Sequence, residues 1–186
     1  MGHFGDQKLL PAIRSMKDFD KMLKHPVHYG VFLDMHIGLV KQAFDYAKSK
    51  DKKMFLHIDL IHGLASDDYA TEYICQQVKP YGIISTRSSV IKKARQLGVM
   101  ATQRTFVIDS SAIERSIELI RKNDPDFVEV LPGVVPKIIT KISETTGKPV
   151  IAGGLIETEE EVDAALQAGA SCITTSNRAL WKTYCV

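Results

Sequence analysis

The sequence predicts a small (β/α)8 barrel of the TIM type, and three observations carry that prediction. Short apolar runs rich in Val, Ile, Phe and Met alternate strictly with longer stretches of helical periodicity. Such alternation belongs to parallel strands covered by helices. Eight of these units fill the 186 residues, about 23 residues each, which is a bare strand–helix repeat. Polar residues also gather at the C-terminal ends of the apolar runs, the face on which barrels of this kind carry their sites. The chain is short for the class, whose members typically need ~250 residues and rarely fewer than ~200. The competing architecture is a doubly wound open sheet, in which one of the two weakest strands, 10–13 or 30–33, would drop out.

In chain order, strands are expected at 10–13, 30–33, 54–58, 82–85, 99–102, 127–131, 150–152 and 172–174. Helices are expected at 17–24, 38–50, 67–78, 89–97, 112–122, 135–145 and 159–168, with a short one at 178–183. Several boundaries have a mechanism. Ser111 with Glu114, and Thr158 with Glu161, fit the capping box, in which hydroxyl and carboxylate reciprocally satisfy free amides. Glu159, Glu160 and Glu161 crowd a first turn, where acids suit the positive end of the helix dipole. Gly98, Gly147 and Gly169 each stand between a helix and the next strand, where a left-handed residue ends the helix. Pro136 fits a first helical turn, which has no use for its missing N–H.

Composition narrows the class. Hydrophobic residues at 45% and charged residues at 25% exclude disorder as the main state. The size and the lack of any composition break predict one domain over 1–186. A net charge of +2 gives no nucleic-acid footprint by itself. Cys75, Cys172 and Cys185 are too scattered for a metal knuckle or a disulfide framework, so a reducing cytoplasm is expected. The start, MGHFGDQK, lacks the apolar region of a signal peptide. No apolar run approaches the ~18 residues of a membrane span.

The strand ends hold the chemistry. Arg14 ends the first strand, and Asp34 the second, with His36 beyond it. His57 and Asp59 stand on the third, followed by His62. Thr86 and Arg87 end the fourth, Gln103 and Arg104 the fifth, and Glu129 stands in the sixth. Gly153 and Gly154 end the seventh, and Thr175, Ser176 and Asn177 the eighth. Barrels that bind phosphate often use the loops after strands seven and eight and the start of a short extra helix. Gly153 and Gly154 let the backbone approach an anion, and Thr175 or Ser176 can add hydroxyl donors. The plainer alternative is a tight Gly-Gly turn and a serine helix cap. Two residues apart on one strand, His57 and Asp59 would face the same way, either as part of a metal site or as a packed histidine beside a ligand-binding or arginine-paired aspartate. A carboxylate inside a barrel is costly unless paired, so Glu129 calls for Arg104 or a ligand hydroxyl. No lysine stands at a strand end, which argues against a Schiff-base aldolase. Lys48, Lys50, Lys52 and Lys53 form one basic cluster, and Lys92, Lys93 and Arg95 another. Solvated surface lysines explain both as well as phosphate contacts do. Trp181, the lone tryptophan, is expected in the core.

Six stretches together resemble the glycerol-uptake operon antiterminator family: HIDLIHGL (57–64), GIISTRSSVIKKA (82–94), QRTFVIDSSA (103–112), VEVLPGV (128–134), PVIAGGLIETEEEV (149–162) and AGASCITTSNRALW (168–181). The resemblance implies a small (β/α)8 barrel that regulates rather than catalyses. It implies binding of glycerol 3-phosphate and of the leader mRNA of glycerol-utilisation genes, with no cofactor and no membrane. Phosphate would sit at Gly153, Gly154 and Ser176, with Thr175 beside them. Asp34, Asp59, Arg104 and Glu129 would line the rest of the mouth. His62 stands where the family usually has an acid or Gln, and the Ile-Thr-Thr-Ser run replaces a more usual Ser-Thr-Ser. Eight units leave no residues over for an appended RNA-binding domain, so the barrel's own surface would meet RNA, with a second copy in a homodimer as the expected help. The alternative is a barrel enzyme acting on a small phosphorylated polyol, triose or sugar, with Asp34, Asp59 and Glu129 as acids and bases.

Overall fold

A computed structural model describes residues 3–185. The eight barrel strands are β1 (Leu9–Ile13), β2 (Tyr29–Phe32), β3 (Lys53–His57), β4 (Gly82–Ser85), β5 (Met100–Phe106), β6 (Phe127–Leu131), β7 (Val150–Gly153) and β8 (Ala170–Thr175). The helices are α1 (Met16–Met22), α2 (Ile37–Ser49), α3 (Asp68–Tyr73), α4 (Ser88–Gln96), α5 (Ser110–Asn123), α6 (Pro136–Thr146), α7 (Glu159–Gln167) and α8 (Arg178–Tyr184). Each strand pairs in parallel with its neighbours in the sequence, and β8 closes on β1 with Leu10 opposite Thr174. Both weak strands are present, so the sheet closes rather than staying open. Outside the barrel, Met35–His36 pairs with Ile61–His62. Among the described residues no helix is long and apolar enough to cross a membrane.

Period-two alternation sorts each strand between two environments. Leu10, Val31, Phe55, Ile84, Phe127, Ile151 and Cys172 pack with Phe4 into a cluster that fills the barrel's lower half. The alternate positions, among them Leu9, Ile13, Phe32, Leu56, Ile83 and Ile173, belong to the larger cluster shared with the helices, as does Trp181. Two residues further along the inward register the lining turns polar: His57, Arg104, Glu129 and Thr174 follow Phe55, Thr102, Phe127 and Cys172. This change from apolar floor to polar layer distinguishes the two ends of the barrel.

The boundaries depart from expectation in four places. The fifth strand is longer than 99–102, because Gln103, Arg104 and Thr105 are strand residues whose polarity interrupts the apolar run. Gln103 is fully buried and accepts a hydrogen bond from Asn123 of α5 at 2.8 Å. The helix expected at 67–78 is α only to Tyr73 and continues as a π turn over Ile74–Val78, ended by left-handed Lys79 before Pro80. Ser111 and Glu114 form no capping box: Asp109 caps α5, accepting from the amide of Ala112 at 2.7 Å, and Ser111 donates to that carboxylate at 2.9 Å. Asp59 belongs to a single 3-10 turn over Ile58–Leu60, so it does not share a strand face with His57. The Thr158–Glu161 box and Pro136 in the first turn of α6 form as expected. Gly98, Gly147 and Gly169 all take positive φ.

Candidate functional site

A cavity of about 650 Å³ opens at the C-terminal end of the barrel. Arg104 and Glu129 line it from β5 and β6, Gly154 from the turn after β7, and Thr174, Thr175, Ser176 and Asn177 from the end of β8. Arg14, at the end of β1, completes its rim. The volume is in the range of small-molecule sites.

The deepest polar feature is an ion pair. Arg104 Nε donates to Glu129 Oε2 at 2.6 Å, and the Thr174 hydroxyl donates to Glu129 Oε1 at 2.9 Å. Glu129 is 1% exposed, and a buried carboxylate held on both oxygens is satisfied where a lone one would not be. The pair also orients Arg104. Its terminal nitrogens have no hydrogen-bond partner among the described residues, and the side chain borders the cavity. A guanidinium anchored through Nε keeps the rest of its donors for a ligand. His57 lies in the same polar layer, 3% exposed, with neither ring nitrogen bonded among the described residues. Burial, and then the positive charge of Arg104, push its pKa down to about 4, so the ring is neutral near pH 7.

The two glycines have different parts. Gly153 stands in the wall behind the cavity, where a Cβ would meet the Thr174 hydroxyl and approach Glu129 Oε1 to 3.2 Å. Its bareness makes room for the Glu129 network rather than for an anion. Gly154 lines the cavity itself with φ +75. Leu155 follows in the left-handed region at φ 60, 69% exposed on the cavity rim. Branched side chains rarely take that conformation, and such outliers cluster at functional sites.

Of the expected site residues, Arg104, Glu129, Gly154, Thr175 and Ser176 converge on this one cavity. Asp34 and Asp59 do not line it. Asp34 accepts from or shares a proton with His62 Nε2 at 2.8 Å, beside the outer two-strand pair. Asp59 turns to the end of β4, accepting from the Ser85 hydroxyl at 2.7 Å, the Thr86 amide at 2.8 Å and the Thr86 hydroxyl at 2.9 Å. Among the described residues no three His, Cys, Asp or Glu side chains gather as a metal site would need. Arg14 and Leu155 were not among the expected site residues. Arg14's signal was present as a cation at a strand end, whereas nothing in a leucine announces left-handed backbone.

The basic clusters are largely engaged. Lys48 donates to the carbonyl of Val78 at 2.8 Å and Lys52 to that of Val27 at 2.6 Å. Lys53 lies over the rings of Tyr29 and Tyr81, at 5.4 and 5.7 Å from their centroids. Lys93 pairs with Glu72 at 2.6 Å, and Arg95 with Asp124.

Comparison with known proteins agrees with this architecture. The chain is 44% identical to the glycerol uptake operon antiterminator regulatory protein from Listeria monocytogenes; the match covers 97% of each chain with a TM-score of 0.94. It is 34% identical to a glycerol uptake operon antiterminator-related protein from Thermotoga maritima, covering 95% of this chain and 98% of that one with a TM-score of 0.85. The uncharacterised protein YgcP of Escherichia coli K12 is 33% identical over 134 residues, 72% of this chain and 70% of the relative. Residues 9–181 match the model of one family over almost the whole barrel, and the chain belongs to it: the glycerol-3-phosphate responsive antiterminators.

Proposed function

We propose that the cavity binds glycerol 3-phosphate and that the bound state favours attachment to the leader RNA of glycerol-utilisation genes. The observation that carries this is the polarity of one cavity lined at one side by Arg14, Gly154, Thr175 and Ser176 and floored by the Arg104–Glu129 pair. The first group suits a phosphate: a cation, two hydroxyls and a glycine that lets backbone come close. The second suits a glycerol end, since the free terminal nitrogens of Arg104, held in place by Glu129, donate to hydroxyl oxygens. Ligand can shift the chain toward an RNA-competent state only through unequal affinity for two states, and the coupling is then reciprocal.

The three carboxylates expected to serve an enzyme as acids and bases are committed elsewhere. Asp34 and Asp59 are turned away from the cavity, and both oxygens of Glu129 already accept hydrogen bonds. A regulatory reading suits that arrangement better than a catalytic one.

Titration calorimetry tests the ligand half. Glycerol 3-phosphate should bind, with glycerol and inorganic phosphate each at least tenfold weaker. Arg14→Gln should weaken it by roughly ten- to a hundredfold, the value of a hydrogen bond to a charged group. Absence of heat at millimolar glycerol 3-phosphate would overturn the proposal. A gel shift on the leader transcript with and without ligand tests the second half.

A further inference from the structure

Helices α1 and α8 flank β1, and between them lies a groove of about 330 Å³ lined by Lys21, Lys24, His25, Arg178, Trp181 and Lys182. No acid is among these six residues. Lys17 and Lys21 stand four apart on one face of α1, and Lys24 follows in the turn beyond the helix end. Arg178 and Lys182 stand four apart on α8 and form the facing row. Lys17, Lys21, Lys24 and Lys182 make no ion pair or side-chain hydrogen bond among the described residues, unlike the lysines spent around α2 and α4. Asp20, the exposed acid of α1, does not line the groove. The groove's lining is almost wholly apolar, since it is made of lysine stems; Trp181 beneath them is 1% exposed and belongs to the core.

We infer that this groove is the surface that takes the RNA chain. The inference rests on the RNA-binding reading above and adds where the polymer sits. Lys21, Lys24 and Lys182, none of them paired with an acid among the described residues, with Arg178 held by Asp18 between them, fit a chain that carries a phosphate at every residue. The groove is also joined to the ligand cavity. Arg14 lines the cavity, and its neighbour Ser15 caps α1 and donates to Asp18 at 2.8 Å. The other oxygen of Asp18 accepts from Arg178, which directly follows the cavity residues Ser176 and Asn177. The rim of the cavity and both walls of the groove therefore belong to one hydrogen-bonded run, so a ligand that moved Arg14 or Ser176 would adjust the spacing of the cation rows.

The test is fluorescence anisotropy on the wild-type chain with a labelled transcript of the untranslated leader of its glycerol-utilisation genes, in a salt series. The variant replaces Lys21, Lys24 and Lys182 together with Gln and leaves the Asp18–Arg178 pair intact. Affinity should fall at least about thirtyfold at low salt, and the slope of log affinity against log salt should shrink by about 2, since each lost phosphate contact removes ~0.7–0.9. Lys92→Gln, on α4 across the barrel, should change affinity less than about twofold. Glycerol 3-phosphate calorimetry on the triple variant should match wild type, which establishes that it folds. If wild type and the triple variant bind RNA alike, the groove assignment is overturned and the RNA reading stands. If wild type binds glycerol 3-phosphate but not RNA, or binds phosphatidylglycerol vesicles in its place, the RNA reading falls and the groove assignment with it.

Discussion

His57 is held in the barrel interior beside Arg104 and Glu129 without a hydrogen bond to either ring nitrogen among the described residues. Its pKa is pushed from the ordinary 6.5 down to about 4, first by burial and then by the Arg104 charge. The sign of the consequence is fixed. Above pH 6.5 the ring is neutral in both folded and unfolded chains, and the difference contributes nothing to pH dependence. Between 6.5 and about 4 the unfolded chain binds a proton that the folded chain refuses, so stability falls as pH falls. The loss by pH 4 is on the order of a few kcal/mol. Urea unfolding at several pH values across this window should show the decline, and His57→Met should remove most of it; an unchanged slope in that variant would place the acid sensitivity in other groups. The same residue shows how far single residues can be read from sequence. That a histidine inside a barrel strand is buried follows from its position between Leu56 and Ile58. That it is unpaired does not, because its expected companion Asp59 leaves the strand for a 3-10 turn and finds Ser85 and Thr86 instead.

At the scale of elements, α5 separates two readings of its own start. The S-x-x-E spacing of Ser111 and Glu114 points to a capping box, yet the helix begins earlier, with Asp109 as its cap and Ser111 inside the first turn. The spacing alone could not decide, because Asp109, Ser110 and Ser111 are all good caps. Asp109→Ala should therefore cost about 1 kcal/mol of stability, and Ser111→Ala no more than a few tenths, since Ser111 donates to the cap and accepts from Arg115 at an exposed position. Thermal unfolding of the two variants decides between them; equal losses would mean that both residues share the cap. Element existence was legible where periodicity is set by burial on one face, as in α2, α4 and α6. It was least legible in β5, where Gln103 points to the helices and Arg104 into the polar layer, so that no side chain from Thr102 to Thr105 looks like core. The site shares that cause. Arg104 and Glu129 lie opposite each other in the β5–β6 register, a relation that pairing creates and local pattern does not display.

At the scale of the whole molecule, closure leaves two ends, and the strand–helix alternation says nothing about how the lower one is sealed. The seal is Phe4. Its ring stacks on Phe127 with centroids 5.1 Å apart and meets Tyr29 and Phe55 edge-on at 5.4 and 6.0 Å. Gln7 fastens the segment: its side-chain amide donates to the carbonyls of Leu9 and Tyr29, and its oxygen accepts from the amides of His28 and Tyr29. Nothing in the local pattern announces this packing, because so short a segment offers no period. Phe4 is 3% exposed and covers the apolar floor formed by seven of the eight strands. Without it that floor faces water and the strand ends lose a common packing partner. Phe4→Ala should therefore cost about 3 kcal/mol, the lower range for a buried Phe→Ala, since solvent can fill the space left at the barrel's end. Denaturant unfolding measures that loss, and glycerol 3-phosphate affinity at the opposite end should stay within about twofold of wild type. A cost below about 1 kcal/mol would mean that the strands hold the lower end closed by themselves.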